Sequence, residues 1–190
     1  MSPEVSLMVS PGETYAMLAR ARGRGTLLTA VRRPALLALV LGVSVSMAGT
    51  RHVTPALLVS TILCWLFIVL LQGGIALALV AGPARRTVGL ARALDLYFAG
   101  HAPWSLWLLA VAAYGPSPLG RPAWPMAIAA ALPLVLTPRI VVAFFREVLE
   151  LDPRHAFARA AAQQALTWSA FIVILDRAVA LTPRILEWVS

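Results

Sequence analysis

Long apolar runs separated by short polar segments dominate the pattern of hydrophobic and polar positions along this chain. A helix needs about 20 apolar residues to cross the hydrocarbon core of a bilayer. The pattern therefore predicts an all-α fold, a polytopic membrane helical bundle in which residues 27–190 form a single transmembrane domain. About five transmembrane helices are expected, near residues 27–49, 54–81, 94–114, 123–145 and 160–181.

The second run is the clearest of the five, because residues 54–81 contain no formally charged side chain. Thr54 followed by Pro55 is typical of the N-cap and first position of a helix. Gly82 followed by Pro83 is typical of a C-terminal stop. The sequence therefore predicts a helix that begins and ends at these two pairs.

The third run is the weakest, because residues 94–114 include Asp95, His101 and Pro103. An ionisable side chain is costly at membrane depth, and proline removes a backbone hydrogen bond from a helix. A bundle of four spans, with this region re-entrant, is therefore the main alternative to five.

Residues 1–26 form a charged leader before the first run. Within it, Ser10–Glu13 fits a capping box with proline at the first helical position. The leader therefore predicts a short amphipathic helix at the membrane interface. Arg20, Arg22 and Arg24 are its candidate contacts with anionic lipid, and the alternative is a solvated topology signal without lipid specificity.

Composition and charge agree with a membrane protein. The chain is 60 % apolar and 13 % charged, with a mean hydropathy of +0.82, whereas soluble domains are about 45–50 % apolar. The net charge of +8 comes from arginines at the ends of apolar runs, which membrane topology explains without nucleic-acid binding. Eleven arginines fall on one predicted side and four on the other. This bias predicts a protein of the cytoplasmic (inner) membrane, with its N-terminus in the cytoplasm and its C-terminus outside.

Six polar side chains within the predicted spans map to the cytoplasmic half of the bilayer, at a rise of about 1.5 Å per helical residue. They are Gln72, Asp95, His101, Arg139, Gln163 and Gln164. Charges at that depth tend to face the bundle interior and to pair. One hypothesis is a cytoplasm-facing polar cavity with an Asp95–Arg139 ion pair. The other is that both charges extend to the inner interface and that the glutamines lock helices together.

Small residues at four-residue spacing occur twice, as Gly42 with Ser46 and as Gly74 with Ala78. Such pairs let helix backbones approach closely. The pattern is consistent with internal packing, and equally with association with other transmembrane subunits or with a second copy of the chain.

No motif of a hydrolase, metalloprotease, nucleotide-binding protein or haem protein occurs in the sequence. Glu147, Glu150 and His155 lie close together along the chain, but the Asp152–Pro153 break prevents one helix face from presenting all three. The sequence therefore predicts no catalytic residue and no metal site, and it assigns no cofactor.

Five of the six tryptophans could be mistaken for the lining of a pigment or ligand site. The membrane–water interface attracts tryptophan, and this accounts for Trp124 and Trp188 without a ligand. The other three are Trp104, Trp107 and Trp168. We therefore expect no binding site from the tryptophans alone.

The layout resembles the Yip1 family of small polytopic membrane proteins, especially its bacterial members. The similarity lies in the proline-centred leader Ser10–Tyr15, the five runs after it, and the Arg- and Ala-rich helix start Leu151–Ala156. The resemblance implies a non-catalytic scaffold or trafficking-type protein. Two other hypotheses stay open. One is an accessory subunit of a larger energy-transducing or transport complex, and the other is a small transporter that uses the six polar side chains.

Overall fold

The computed structural model describes residues 2–21, 26–50, 55–84, 86–114 and 124–189, with part of the side chains in these ranges left undescribed. All regular structure in these ranges is helical, which confirms the all-α prediction. The helices are α1 (Pro3–Val9), α2 (Pro11–Arg20), α3 (Leu27–Thr50), α4 (Pro55–Ala84), α5 (Leu90–Ala99), α6 (Ala102–Tyr114), α7 (Trp124–Ala129), α8 (Ala131–Glu147) and α9 (Pro153–Val189). Within the described residues, none of them combines the length and the apolar character needed to cross a membrane.

Helix α9 begins where the sequence predicts. Its first residue is Pro153, and Asp152 Oδ1 accepts hydrogen bonds from the backbone N–H groups of Arg154 at 3.1 Å and His155 at 3.2 Å. These bonds satisfy donors that have no partner inside the helix. The side chain of His155 also pairs with Asp152. Together these contacts hold the pKa of the Asp152 carboxyl below its usual range, with the His155 side chain the largest contributor.

Helix α2 begins at Pro11 as predicted, but its capping box does not form. Ser10 makes no side-chain cap bond and Glu13 is exposed. A capping box needs the backbone N–H of the N-cap residue to be available to the glutamate. Here that N–H donates to the carbonyl of Ser6 at 2.8 Å, because Ser10 also ends α1. Because Ser10 both ends α1 and precedes α2, its backbone N–H is not available to the Glu13 carboxylate.

Helix α4 does not stop at Gly82 but continues through Pro83 to Ala84. A proline has no N–H, so the carbonyl four residues earlier loses its helical partner. That carbonyl belongs to Leu79, and the guanidinium of Arg159 in α9 donates to it instead. Because Pro83 leaves this carbonyl without its helical partner, a hydrogen bond joins α4 to α9 there.

The third and fourth predicted runs each contain two helices. Helix α5 ends at a tight turn in which the N–H of Gly100 donates to the carbonyls of Leu96 and Tyr97, at 3.3 and 3.1 Å. The fourth run breaks at Ala130, and the two prolines Pro133 and Pro138 lie within α8.

The leader helices are part of the core. The side chains of Leu7 and Tyr15 are fully buried, and the ring of Tyr15 packs edge-on against Phe144 of α8, with centroids 5.7 Å apart. The Tyr15 hydroxyl donates to the carbonyl of Leu96 at 3.1 Å. Burial raises the pKa of this hydroxyl, so it stays a donor. The leader therefore packs into the bundle, and its predicted position at the membrane interface stays a prediction.

Of the predicted lipid contacts in the leader, only one is described. Arg20 is exposed at the last residue of α2. Arg22 and Arg24 lie outside the described residues. The prediction that the three guanidiniums meet lipid stays a prediction.

Candidate functional site

A cavity of about 470 Å³ lies among α3, α4, α5, α6, α8 and α9, and we call it the central cavity. Its volume is in the range of small-molecule sites, about 300–1,000 Å³. Four of the six predicted polar residues line it: Gln72, His101, Gln163 and Gln164. The structure thus brings together side chains that are far apart in sequence and that the sequence places only at a common depth.

Amide side chains form a hydrogen-bonded network along one wall. The oxygen of Gln72 accepts from the Tyr97 hydroxyl at 3.2 Å and from the Gln163 amide at 3.4 Å. The amide nitrogens of Gln72 and Gln163 each lie 3.3 Å from Thr167 Oγ1. Gln164 donates to the Gln163 oxygen at 2.7 Å. These bonds join α4, α5 and α9.

Two other polar groups of the cavity have no hydrogen-bond partner among the described residues. His101 Nδ1 lies 3.0 Å from the carbonyl oxygen of Tyr97. Because a carbonyl only accepts, Nδ1 carries the proton and Nε2 is a bare acceptor. That Nε2 and the hydroxyl of Thr137 are both buried and unpaired. Buried polar groups are nearly always paired in native proteins, so each of these requires an explanation.

Tryptophans form an aromatic part of the cavity wall. The Trp104 ring packs edge-on against Trp107 and Trp168, with centroid distances of 5.6 Å in both pairs. Sequence reasoning missed all three as site residues. The available signal was the spacing of His101, Trp104 and Leu108, which places them on one helical face.

Four charged residues form a compact network at the α3–α5 end of the cavity. The carboxylate of Asp95 pairs with Arg33 and with Arg92, both at 3.1 Å. Arg33 also pairs with Glu4 of α1, and Arg92 donates to the carbonyl of Leu18 in α2 at 3.2 Å. Two carboxylates thus balance two guanidiniums. The network fastens both leader helices to the bundle.

The predicted Asp95–Arg139 pair is wrong. Asp95 is paired with Arg33 and Arg92, whereas Arg139 is exposed. Arg139 lines a separate groove of about 430 Å³ beside α2, together with Arg146 and Glu147. The physical reason is azimuth: successive residues of a helix point about 100° apart, so Arg139 faces away from the cavity that Thr137 lines.

Known proteins offer no guide to this site. No protein-family model, curated protein or solved structure matches the chain. Its chemistry must be argued from its own residues. Amides, an imidazole, a hydroxyl and aromatic rings around a concave space are typical of a binding site.

The two predicted helix-packing pairs lie on α3 and α4. Gly74 and Ala78 are exposed on α4, so this pair faces away from the described core. The side-chain positions of Gly42 and Ser46 lie outside the described residues, although both belong to α3. Among the side chains that the structure describes, no three of the His, Cys, Asp and Glu types are grouped as they would be around a metal ion.

Proposed function

We propose that this protein is a non-catalytic, multi-pass membrane protein of scaffold type, similar to the Yip1 family. The proposed topology has five spans, a cytoplasmic N-terminus and an external C-terminus in the cytoplasmic membrane. The observation that carries the proposal is the large amount of apolar side-chain surface on the outside of the bundle.

Exposed apolar side chains include Leu28 on α3 at 79 % and Val135 on α8 at 61 %. A water-soluble helical bundle keeps most large apolar side chains towards its core and polar ones on its surface. The core of this bundle is mostly apolar but also buries Asp95, Thr137 and Gln163, which are 8 %, 1 % and 1 % exposed. Extended apolar surface marks contact with lipid or with another protein. This distribution favours a bundle surrounded by acyl chains.

The sequence of the helices adds independent support. Residues 54–81, nearly all of α4, carry no formal charge. Arginines accumulate on one predicted side, eleven against four, as topology requires of cytoplasmic loops.

Membrane fractionation and single-cysteine labelling test this proposal. The native Cys64 is first replaced by serine, and cysteine is then introduced at Ser2 or at Ser190. We expect the protein to stay in the membrane pellet at alkaline pH, and an impermeant thiol reagent on intact cells to label the Ser190 variant alone. Release into the supernatant contradicts membrane insertion. Labelling of both ends from one side contradicts an odd number of spans.

A scaffold role implies partner helices, and the surface of α4 supports this part of the proposal. Gly74 and Ala78 lie on an exposed face, and an added Cβ at Gly74 meets nothing within 4 Å. Small residues on a lipid-facing surface let another helix approach closely. Purification in mild detergent tests the role. Other transmembrane subunits that co-purify favour an accessory subunit, and a homogeneous small oligomer favours a self-associating scaffold.

Transport is the second candidate function, and the central cavity is the observation in its favour. Four of the polar residues that the sequence predicts in the cytoplasmic half of the bilayer line it, as expected of an intramembrane substrate site. Uptake by reconstituted vesicles separates the two functions, because a scaffold leaves the permeability of the vesicle unchanged.

A further inference from the structure

Most side chains that line the central cavity are suited to binding an apolar molecule. Its walls include Leu37, Leu71, Phe98 and Leu134 beside the three tryptophans. Aromatic and aliphatic walls gain free energy by taking apolar surface out of water. The body of any ligand of this cavity is therefore apolar.

Polar groups without partners specify the remainder of the ligand. The Thr137 side chain is 1 % exposed and its hydroxyl is unpaired. Nε2 of His101 is also unpaired, and it is an acceptor because Nδ1 holds the proton. The first group requires a donor or an acceptor and the second requires a donor. A hydroxyl group offers both, whereas a ketone or an ether offers acceptors only.

Charge restricts the ligand further. Arg33 is the one residue lining the cavity with a formal charge, among the described residues. Its guanidinium is already held by Glu4 and Asp95. A carboxylate or phosphate entering the cavity would lose its hydration without gaining a free cation, which is unfavourable.

From these three observations we propose that the central cavity binds an uncharged, apolar alcohol, whose hydroxyl group meets His101 Nε2 or Thr137 Oγ1. This inference goes beyond the proposed function. It stands on the cavity alone and does not depend on the number of spans. Failure of the topology experiment and failure of the binding experiment are therefore separate outcomes.

Photo-crosslinking tests the proposal on the full-length chain in phosphatidylcholine nanodiscs. The probe is hexadecanol carrying a diazirine in its alkyl chain, and the comparison probes are the corresponding carboxylic acid and hydrocarbon. We expect the alcohol to label residues of the cavity wall about fivefold more than the hydrocarbon does, the contribution of one hydrogen bond. Unlabelled hexadecanol should compete with this labelling.

Two variants remove the proposed hydrogen-bonding groups with little change of shape. Thr137→Val deletes an unpaired hydroxyl, and His101→Phe deletes the acceptor. Each should lower labelling by the alcohol about fivefold and leave labelling by the hydrocarbon unchanged. Because the Thr137 hydroxyl has no partner in the fold, Thr137→Val should also unfold at the same temperature as the wild type, or at a higher one.

Ser105→Ala is the matched control. Ser105 also lines the cavity, but its hydroxyl already donates to the carbonyl of His101 at 3.3 Å. This variant should keep wild-type labelling. Equal labelling by alcohol and hydrocarbon overturns the proposal, as does wild-type labelling of both Thr137→Val and His101→Phe. Stronger labelling by the carboxylic acid overturns it in favour of an anionic ligand.

Discussion

Helices α5 and α8 each have one face in a closely packed core and another face on the central cavity. On the packed side, the rings of Tyr15, Tyr97, Phe144 and Phe145 are almost fully buried, and each contacts another ring with centroids less than 6 Å apart. On the cavity side, Phe98 and the tryptophans border about 470 Å³ of space. One pair of helices thus provides a filled core and an unfilled interior.

The difference shows where binding capacity resides in a small bundle. Protein interiors are normally packed like organic crystals, and open space forfeits dispersion contacts. The packed side follows this rule, and the Tyr15 hydroxyl there is paired with the Leu96 carbonyl. The cavity side departs from it twice, in volume and in the unpaired groups of His101 and Thr137. Binding of the proposed alcohol would fill the volume and pair one of these groups.

The largest expected effect comes from removing matched rings on the two sides. Phe144→Ala should lower the free energy of unfolding by about 3–5 kcal/mol, since it empties a filled site. Phe98→Ala should cost less than half as much, because that ring already borders the cavity. Chemical unfolding in mixed micelles measures both. Equal costs would show that the two sides do not differ in packing.

The charge network should give the next largest effect. Asp95→Asn leaves Arg33 and Arg92 without their shared carboxylate and should cost about 3 kcal/mol, as for removal of one partner of a buried ion pair. In double-mutant cycles with Asp95→Asn, Arg33→Gln should show coupling. Arg139→Gln, on an exposed residue, should be additive within about 0.5 kcal/mol. Coupling to Arg139 would restore the pair that the structure excludes.

Gly100 lies where the two sides meet, and an added methyl group should cost about 1–3 kcal/mol. A Cβ there would lie 2.5 Å from Tyr15 Oη and 3.0 Å from Ile140 Cγ2. Gly100→Ala therefore pushes Tyr15 and Ile140 away from the turn at Gly100 and displaces the Tyr15 hydroxyl from its carbonyl acceptor. Gly74→Ala is the control, because nothing lies within 4 Å of its Cβ. Thermal unfolding measures both variants. Gly100→Ala should lower the unfolding temperature, and Gly74→Ala should raise it or lower it clearly less.

The smallest expected effect is a pH dependence at the leader. Burial alone would raise the pKa of Glu4, but its backbone hydrogen bond and Arg33 together hold that pKa below its ordinary value of 4.5. A lowered folded-state pKa means that the carboxylate stabilises the fold at neutral pH. This contribution is lost as the pH falls below about 4.5 through the lower folded-state value.

Comparison of the wild type with Glu4→Gln isolates this effect from other acidic groups. The two proteins should differ in unfolding free energy at pH 7 by less than about 1 kcal/mol, because solvent screens the pair. The difference should vanish at acidic pH. A difference that grows on acidification would contradict the assigned sign.

Helix starts were largely predictable, because their chemistry is local. Pro11 and Pro153 stand at first helical positions as predicted, and α4 begins at Pro55. Helix ends depended on distant groups: α4 passes Pro83 because Arg159, on another helix, takes the freed carbonyl. No local pattern contains that information.

The candidate site was predictable in depth but not in azimuth. Four polar side chains share the cavity because they lie at a similar depth and also point inward. They are Gln72, His101, Gln163 and Gln164. Arg139 shares the depth and faces elsewhere. Asp95 pairs instead with Arg33 and Arg92, which belong to the arginines that the sequence pattern attributes to membrane topology. Charge patterns alone do not distinguish a guanidinium that marks orientation from one that holds two helices together.

The docking of the leader has a consequence for biosynthesis. Its contacts span most of the chain, since the Tyr15 hydroxyl bonds to Leu96 and the Tyr15 ring packs against Phe144. A ribosome makes α1 and α2 before the helices that they contact, at about 5–20 residues per second, so their binding surface is complete only after α8 has been translated. Newly made leader helices therefore wait several seconds before Leu7 and Tyr15 can be buried. The leader is synthesised before the helices that it packs against, and it reaches its place only after they do.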